Sequence, residues 1–156
     1  MNSFLVDSSV LLRTLQVRSP QYQAACRALE LLSQNGHDLF IVPQNLVELW
    51  VVATRPSEQN GLGLTAAQAS TELEKIKALF VLLPETPAIF PTWETLVRQH
   101  SVIGKPAHDA RLVAAMHVHG LTGIVTFDKT GFSRFPGIVV VRPEDVKPSA
   151  STHLQS

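Results

Sequence analysis

The sequence predicts an α/β domain in which a central parallel sheet of four to five strands carries helices on both faces. Short apolar runs alternate with helical patterns along nearly the whole chain, which is the arrangement of consecutive βαβ units. The first run, Phe4-Leu5-Val6, is apolar without alternation, as expected of a strand covered on both sides. A length of 156 residues suits one such domain.

The apolar runs predict five strands, and proline follows two of them. Pro43 comes directly after the second run and Pro84 after the third. Proline cannot donate a hydrogen bond to a sheet, so it favours an end to the strand there. The predicted strands cover residues 3–6, 39–42, 80–83, 123–126 and 137–141.

The segments between the strands are predicted as helices with recognisable ends. Pro43 suits a first helical turn, Thr65 suits an N-cap, and Gly120 suits a C-terminal cap. The predicted helices cover residues 10–17, 20–33, 43–55, 65–79, 92–100 and 108–119. Residues 1–142 form the predicted domain. Residues 143–156, with Pro, Ser and no apolar periodicity, form a predicted flexible tail.

Composition favours a well-packed globular protein without a global charge. The chain is 45% hydrophobic, and its 13 Lys and Arg balance its 13 Asp and Glu, so a nucleic-acid partner needs a local basic patch. The single cysteine, Cys26, excludes an intramolecular disulfide and multi-cysteine zinc sites. No apolar run reaches membrane-spanning length and no secretory leader is evident, so we expect a cytoplasmic protein without membrane attachment.

Two acidic residues come at the ends of predicted strands. Asp7 follows the first strand and Asp128 closes the fourth. In open α/β sheets, ligands bind in the crevice beyond the carboxyl ends of the strands. The ordinary alternatives are that Asp7 caps the following helix and that Asp128 hydrogen-bonds its own turn. Position alone leaves both interpretations open.

Two further acids lie in strongly apolar helices. Asp109 shares a helical face with Leu112 and Met116. A helix N-terminus stabilises a carboxylate by only about 0.3–1 kcal/mol, whereas burying an unpaired charge costs several kcal/mol. Glu48 lies in a helix that is apolar nearly all round, although it could also emerge at solvent or pair with Arg55. Both acids are therefore candidates for function.

Together the four acids predict a site for a divalent metal ion. Four close carboxylates repel one another and take up protons unless a cation lies among them. An oxygen-only donor set, without Cys or His, suits Mg²⁺ or Mn²⁺. Such an ion polarises a phosphoryl oxygen and generates hydroxide from bound water. This is the chemistry of phosphodiester hydrolysis.

Four short motifs occur in a fixed order along the chain. They are the run from Phe4 to Leu11, Asn45-Leu46-Val47-Glu48, the run from His108 to Ala115, and Thr126-Phe127-Asp128. As an ordered set they resemble a PIN-domain ribonuclease, and within that family the VapC-type toxins of prokaryotic toxin–antitoxin pairs. Arg55-Pro56, Asn60-Gly61-Leu62-Gly63 and residues 128–137 also resemble that subgroup. The resemblance runs from about Phe4 to Val141.

The resemblance implies a single PIN-like domain that cuts single-stranded RNA with bound Mg²⁺ or Mn²⁺. It assigns the catalytic and metal-binding roles to Asp7, Glu48, Asp109 and Asp128, with Thr126 as a polar neighbour. The fourth acid is less uniform in the family, which leaves open whether Asp128 binds metal directly or through water. The resemblance also implies a homodimer held inactive by a cognate antitoxin, whose tail enters the acidic groove.

Individual roles follow from the residue types. We expect Asp7 and Asp109 to bind the metal directly, and Glu48 to bind it or to orient the attacking water. Ser8 and Asn45 can hydrogen-bond these ligands or their waters, while Arg111 can serve as a counter-ion to the acids. Candidates for contact with substrate phosphates, each also explicable as a solvated surface charge, are Arg13, Lys105, Lys129 and Arg134.

Three other interpretations stay open from the sequence. The first is a non-catalytic PIN-fold module that binds RNA or protein and keeps the acids as a structural cation site. The second is another α/β phosphohydrolase with Asp7 as covalent nucleophile, although Ser9 stands where its partner acid would be. The third is a flavodoxin-like signalling domain, which needs a lysine near the final strands that Lys129 supplies poorly.

Overall fold

The strands and helices form largely where the apolar runs and turn residues predict them. The computed structural model describes residues 2–149. The strands are β1 (Ser3–Val6), β2 (Asp38–Ile41), β3 (Val81–Leu82), β4 (Gly123–Val125) and β5 (Val139–Val141). The helices are α1 (Ser8–Thr14), α2 (Tyr22–Gln34), α3 (Pro43–Thr54), α4 (Ala66–Leu79), α5 (Ile89–Gln99), α6 (Pro106–His119) and α7 (Lys129–Ser133). Short 3₁₀ helices cover Ser57–Gln59 and Pro143–Asp145.

The five strands form one parallel sheet in the order β3-β2-β1-β4-β5. In the central strand β1, Leu5 lies opposite Phe40 of β2 on one side and Ile124 of β4 on the other. The chain builds outward from β1 to β3 and then returns to the other side of β1. The strand order therefore reverses between β1 and β4, which is where open α/β sheets bind ligands.

Helices cover both faces of the sheet, as the sequence predicts. Successive residues of β1 point to opposite faces, so Phe4 and Val6 contribute to one hydrophobic cluster and Leu5 to the other. The Leu5 cluster is closed by α5, α6 and α7 through buried residues such as Ile89, Leu96, Leu112, Met116 and Phe132. The opposite cluster includes Val10, Leu11, Ala25, Leu49 and Ile76 from α1, α2, α3 and α4. The predicted α/β class is confirmed.

The helix α7 is not predicted by the sequence, which indicates only a turn after Asp128. It spans five residues and buries a single side chain, Phe132. A helix of this length contains little more than one turn, so it produces no apolar periodicity that the sequence could reveal.

The segment after β5 packs against the domain up to Ser149, although the sequence assigns it to a flexible tail. Val146 is buried, and Arg27 Nη1 donates to its carbonyl oxygen at 3.2 Å. Asn35 binds the backbone at two points, donating to Lys147 O at 3.0 Å and accepting from Ser149 N at 2.9 Å. The remainder of the predicted tail, residues 150–156, lies outside the described residues.

None of the helices within residues 2–149 has the length and apolar character needed to cross a bilayer.

Candidate active site

Asp7 lies at the carboxyl end of the central strand and is only 6% exposed. Its Oδ2 accepts hydrogen bonds from Ser9 Oγ and Thr126 Oγ1, both at 2.7 Å. It occupies the N-cap position of α1 without a side-chain capping bond, so capping does not explain its presence. Burial raises the pKa of Asp7, the two hydroxyl hydrogen bonds lower it, and the charge of Glu48 raises it again.

Glu48 projects from α3 with both carboxylate oxygens engaged. Ser8 Oγ donates to Oε2 at 2.7 Å, and Gln44 Nε2 donates to Oε1 at 2.9 Å. The side chain is therefore neither a free solvent-facing acid nor a partner of Arg55, whose guanidinium donates to the carbonyl of Asn60 at 3.3 Å. Held in this way, Glu48 has a defined orientation before any ligand binds.

Asp109 is in the first turn of α6, and the other three acids act on it. Its pKa is raised to about 6, first by burial and then by the negative charges of Asp7, Asp128 and Glu48. Neighbouring His108 lowers this pKa. Charges act on a pKa in this way only at short range, so four acids that are far apart in sequence meet in one region of the fold.

Asp128 bonds its own turn and also faces Asp109. Its Oδ1 accepts a hydrogen bond from Gly131 N at 3.2 Å at the start of α7. A Cβ atom added to Gly131 would lie 2.7 Å from Asp128 Oδ2 and 2.8 Å from Asp109 Oδ2. Because glycine has no side chain, the backbone of α7 can sit directly against both carboxylates.

A cavity of about 600 Å³ opens at this point, and Glu48, Asp109 and Asp128 line it together with Lys105 and His108. Its wall therefore combines three acids with one lysine. Asp7 lies deeper, at the end of β1.

The donor set fits a hydrated divalent cation better than a fully caged one. Within residues 2–149, no three acidic, histidine or cysteine side chains are close enough together to form a ready-made metal cage. Mg²⁺ keeps several of its waters and is commonly held by only one or two carboxylates. Burial and neighbouring acids raise the pKa values of Asp7 and Asp109, and a divalent ion would favour the ionised form of both carboxylates.

Two of the predicted supporting residues touch the acids. Ser8 donates to Glu48, as described above, and Thr126 Oγ1 binds Asp7 and also accepts from Asp128 N at 2.9 Å. Thr126 is fully buried between the ends of β1 and β4. It therefore links the backbone next to one acid to the carboxylate of another.

Asn45 makes no hydrogen bond to the four acids, so the prediction that it binds them directly is wrong. Its side chain is fully buried, and its Oδ1 accepts from Val42 N at 2.9 Å, which caps the start of α3. The spacing of three residues puts Asn45 and Glu48 on one side of the helix, but Asn45 turns back toward the N-terminal end.

Arg111 is not a direct counter-ion of the four acids. Its guanidinium pairs with Glu85 Oε2 at 2.7 Å and donates to Gln44 Oε1 at 3.1 Å. Its hydrogen bonds connect it to Glu48 through Gln44, and it lines a neighbouring cavity together with Glu48.

Only one of the four candidate phosphate-binding cations lines the acidic cavity, and it is Lys105. Arg13 hydrogen-bonds Gln16 at 2.6 Å within the α1 region, and Arg134 lies over the ring of Phe135 at 5.8 Å. Lys129 is exposed on the first turn of α7, next to Asp128.

Three residues of the site were missed by the sequence reasoning. Ser9 binds Asp7 and also accepts from Phe127 N at 3.2 Å. Gln44 binds Glu48, and Gly131 admits the two carboxylates. The contact of Gln44 with Glu48 could have been predicted, because residues four positions apart are neighbours on a helix.

The fold and the acidic crevice define a parallel α/β protein with an acid cluster at the point where its strand order reverses. The family model of the PIN domain matches residues 4–138, so the chain belongs to the PIN domain family. The resemblance drawn from its motifs is confirmed. The search of curated protein sequences finds no match.

Several solved structures share this fold. VapBC2 from Rickettsia felis, bound to a DNA fragment from its promoter, is 15% identical with a TM-score of 0.65, covering 90% of this chain and 98% of that one. FitAcB from Neisseria gonorrhoeae is 18% identical with a TM-score of 0.63, and the match covers 90% of this chain and 97% of that chain. VapC20 from Mycobacterium tuberculosis, described as a sarcin–ricin loop cleaving toxin, is 19% identical with a TM-score of 0.59, covering 83% and 93%.

Proposed function

We propose that this protein is a Mg²⁺- or Mn²⁺-dependent endoribonuclease that cleaves single-stranded RNA and acts as the toxin of a type II toxin–antitoxin system. The proposal depends on one observation: Glu48, Asp109 and Asp128 line one cavity, where burial and the charges of Asp7, Asp128 and Glu48 raise the pKa of Asp109. Acids that destabilise one another at the switch point of a sheet are explained by a ligand that needs them ionised. A divalent cation is such a ligand.

In the proposed reaction, Asp7 and Asp109 hold the metal, and Asp128 binds it directly or through water. When bound, the ion supplies charge for the phosphoryl oxygen and lowers the pKa of its water. Glu48 binds the metal or orients the attacking water, and Ser8 and Gln44 hold its carboxylate in position. Lys105, at the rim of the cavity, binds a substrate phosphate.

The partners of the protein are proposed from its structural neighbours and its surface. One solved structure with this fold is a toxin–antitoxin complex from Klebsiella pneumoniae, which supports a cognate antitoxin that covers the acidic cavity. Val47 and Val51 lie one helical turn apart on α3 and are 63% and 52% exposed. Exposed apolar residues that adjoin one another favour a protein interface, so we propose a homodimer. Its place of action is the cytoplasm, where RNA is available.

A metal-dependent cleavage assay tests the nuclease directly. Wild-type protein is expected to cut a panel of single-stranded RNA oligonucleotides with Mg²⁺ or Mn²⁺ and to lose this activity in EDTA. Asp109→Asn should lower the rate by more than the roughly 100-fold that loss of an outer-shell partner costs. Asp38→Asn, at the exposed start of β2, is the matched control and should leave the rate unchanged.

The second candidate is a non-catalytic PIN-fold module that binds RNA or protein and keeps the acids as a structural cation site. The exposed apolar side chains of Val47 and Val51 on α3, which suit contact with a protein, favour it. RNA binding without cleavage, unchanged by EDTA and by Asp109→Asn, would establish this candidate and contradict the nuclease.

A further inference from the structure

The side-chain amide of Gln44 joins three parts of the candidate site. Its Nε2 donates to Glu48 Oε1 and to the carbonyl oxygen of His108, each at 2.9 Å. Its Oε1 accepts from Arg111 Nη1 at 3.1 Å. Since His108 directly precedes Asp109, Gln44 connects the carboxylate supplied by α3 to the backbone that positions the carboxylate supplied by α6.

The partners of Gln44 allow only one orientation of its amide. If the oxygen and nitrogen were exchanged, the amide oxygen would face two acceptors, on Glu48 and His108. The NH₂ group would then face the guanidinium of Arg111, which has donors only. Gln44 therefore presents its donor side to Glu48 and its acceptor side to Arg111.

This orientation places an amide between a cation and a candidate metal ligand. Arg111 is held on the far side by Glu85, through Nη2 to Oε2 at 2.7 Å and Nη1 to Oε1 at 3.4 Å. A guanidinium in direct contact with Glu48 would form a bidentate ion pair and would occupy the oxygens that a metal or its water needs. With Gln44 in place, Arg111 contacts the amide instead.

We propose that Gln44 is a positioning residue of the metal site. It fixes the rotation of the Glu48 carboxylate, whose other oxygen is held by Ser8, and it keeps Arg111 from pairing with that carboxylate. This inference rests on the proposed metal-dependent function. Gln44 itself does not touch the reacting atoms.

The substitution Gln44→Met tests the role, because methionine has similar length and cannot make the three hydrogen bonds. Gln44 is half-buried at the edge of a cavity, so the change is compatible with folding, and a thermal melt verifies this. The dissociation constant for Mn²⁺, measured on the full chain by electron paramagnetic resonance, should weaken by about tenfold or more.

A double variant separates the two parts of the role. If Arg111 moves onto Glu48 when the amide is lost, Gln44→Met with Arg111→Ala should bind Mn²⁺ more tightly than Gln44→Met alone. No recovery in the double variant would overturn the part assigned to Arg111. A merely structural role for Gln44 predicts no such rescue.

The chain offers two matched controls. Gln34 on α2 donates to Glu30 Oε1 at 3.3 Å from an exposed position four residues away, so Gln34→Met removes the same kind of contact outside the site. Glu85→Gln weakens the anchor of Arg111 and leaves the Gln44 amide in place. Both variants should bind Mn²⁺ as the wild type does.

The outcomes distinguish this inference from the function on which it rests. The role of Gln44 is overturned, and the metal-dependent function is not, if Gln44→Met binds Mn²⁺ as tightly as the wild type does. The same holds if Glu85→Gln weakens Mn²⁺ binding as much as Gln44→Met does. Wild-type protein that takes up no Mn²⁺ contradicts the metal-dependent function, and the role of Gln44 fails with it.

Discussion

Gly131 lets the backbone of α7 lie directly against two carboxylates. A methyl group at this position would lie within 2.8 Å of Oδ2 of both Asp109 and Asp128, well inside van der Waals contact. Gly131→Ala should therefore separate the acids and weaken Mn²⁺ binding and RNA cleavage together. Helix content, measured by circular dichroism, should not fall, since alanine favours a helix more than glycine does.

Thr130→Ala is the control for this substitution, since it changes an exposed neighbour on the same helix. Gly131→Ala that binds Mn²⁺ like the wild type would show that the two carboxylates need not be close.

Thr126 stabilises the fold through the buried carboxylate of Asp7. Thr126→Val keeps the shape of the side chain but removes the 2.7 Å hydrogen bond to Asp7 and the acceptor for Asp128 N. Hydrogen bonds to charged groups contribute about 1.5–3 kcal/mol, so urea unfolding should show a loss of that size. Thr71→Val, at an exposed position of α4, should cost much less. Equal losses in the two variants would refute a special role for Thr126.

At the scale of single residues, the sequence identified the acids but not the groups that hold them. Asp7 and Asp109 stood out because an acid at a strand end or on an apolar stripe has little reason to be there for stability. Ser9 and Thr126 approach within 3.3 Å although 117 positions separate them, because β1 pairs with β4. Asn45 was misplaced because helical spacing fixes a side of the helix and not the direction of the side chain.

At the scale of elements, four segments each bring one acid to the same crevice, and this costs stability when no cation is bound. The pKa of Asp109 is about 6 in the folded protein against a usual 3.8. The folded state therefore holds its proton more tightly than the unfolded state does. By linkage, the contribution of Asp109 to the free energy of unfolding falls as pH rises from about 4 to about 6, and burial of Asp7 acts in the same direction.

Asp109→Asn removes this charge, so the variant should be more stable than wild type near pH 7 and should lose the advantage toward pH 4. Urea unfolding in EDTA across this range measures the difference in free energy of unfolding. For Asp38→Asn, which is exposed, the difference should stay flat. A pH-independent difference for Asp109→Asn would mean that neither burial nor the neighbouring acids raise the pKa of Asp109.

The predicted strands and helices agree with the structure wherever the apolar residues were numerous enough to show the periodicity of a strand or a helix. All five strands and the six longer helices were predicted from the sequence, and their ends differ from the structure by a few residues. The helix α7 and the packing of Val146 were not predicted, because one turn of helix and one buried side chain produce no apolar pattern in the sequence. The order of the strands was not predicted either, since it depends on how each crossover packs rather than on any one segment.

At the scale of the whole molecule, the exposed face of α3 is the part most suited to a second copy. Val47 and Val51, with Leu46, Trp50 and Leu73, line a shallow cavity of about 280 Å³. Val51→Asp should convert the proposed homodimer to a monomer in light scattering, because burying a charge at an interface costs several kcal/mol. Val17→Asp, at a position that is 71% exposed after α1, should remain dimeric. A dimeric Val51→Asp protein would exclude this face.

Neighbours that are 15–19% identical share the fold of this chain, but a fold hosts many activities, and the site decides among them. Here the site depends on whether Asp7, Glu48, Asp109 and Asp128 together bind a divalent ion. Metal binding needs ionised carboxylates, so it must be measured above the pKa of about 6 of Asp109.

Calorimetric titration of Mn²⁺ into the wild-type chain and into Asp109→Asn near neutral pH decides the matter. Saturable uptake by the wild type and by the control Asp38→Asn, and none by Asp109→Asn, is the predicted result. Because Asp109→Asn is expected to be the more stable protein under these conditions, its loss of binding could not come from unfolding. No uptake by the wild type, or equal uptake by Asp109→Asn, would contradict a metal site made by these acids.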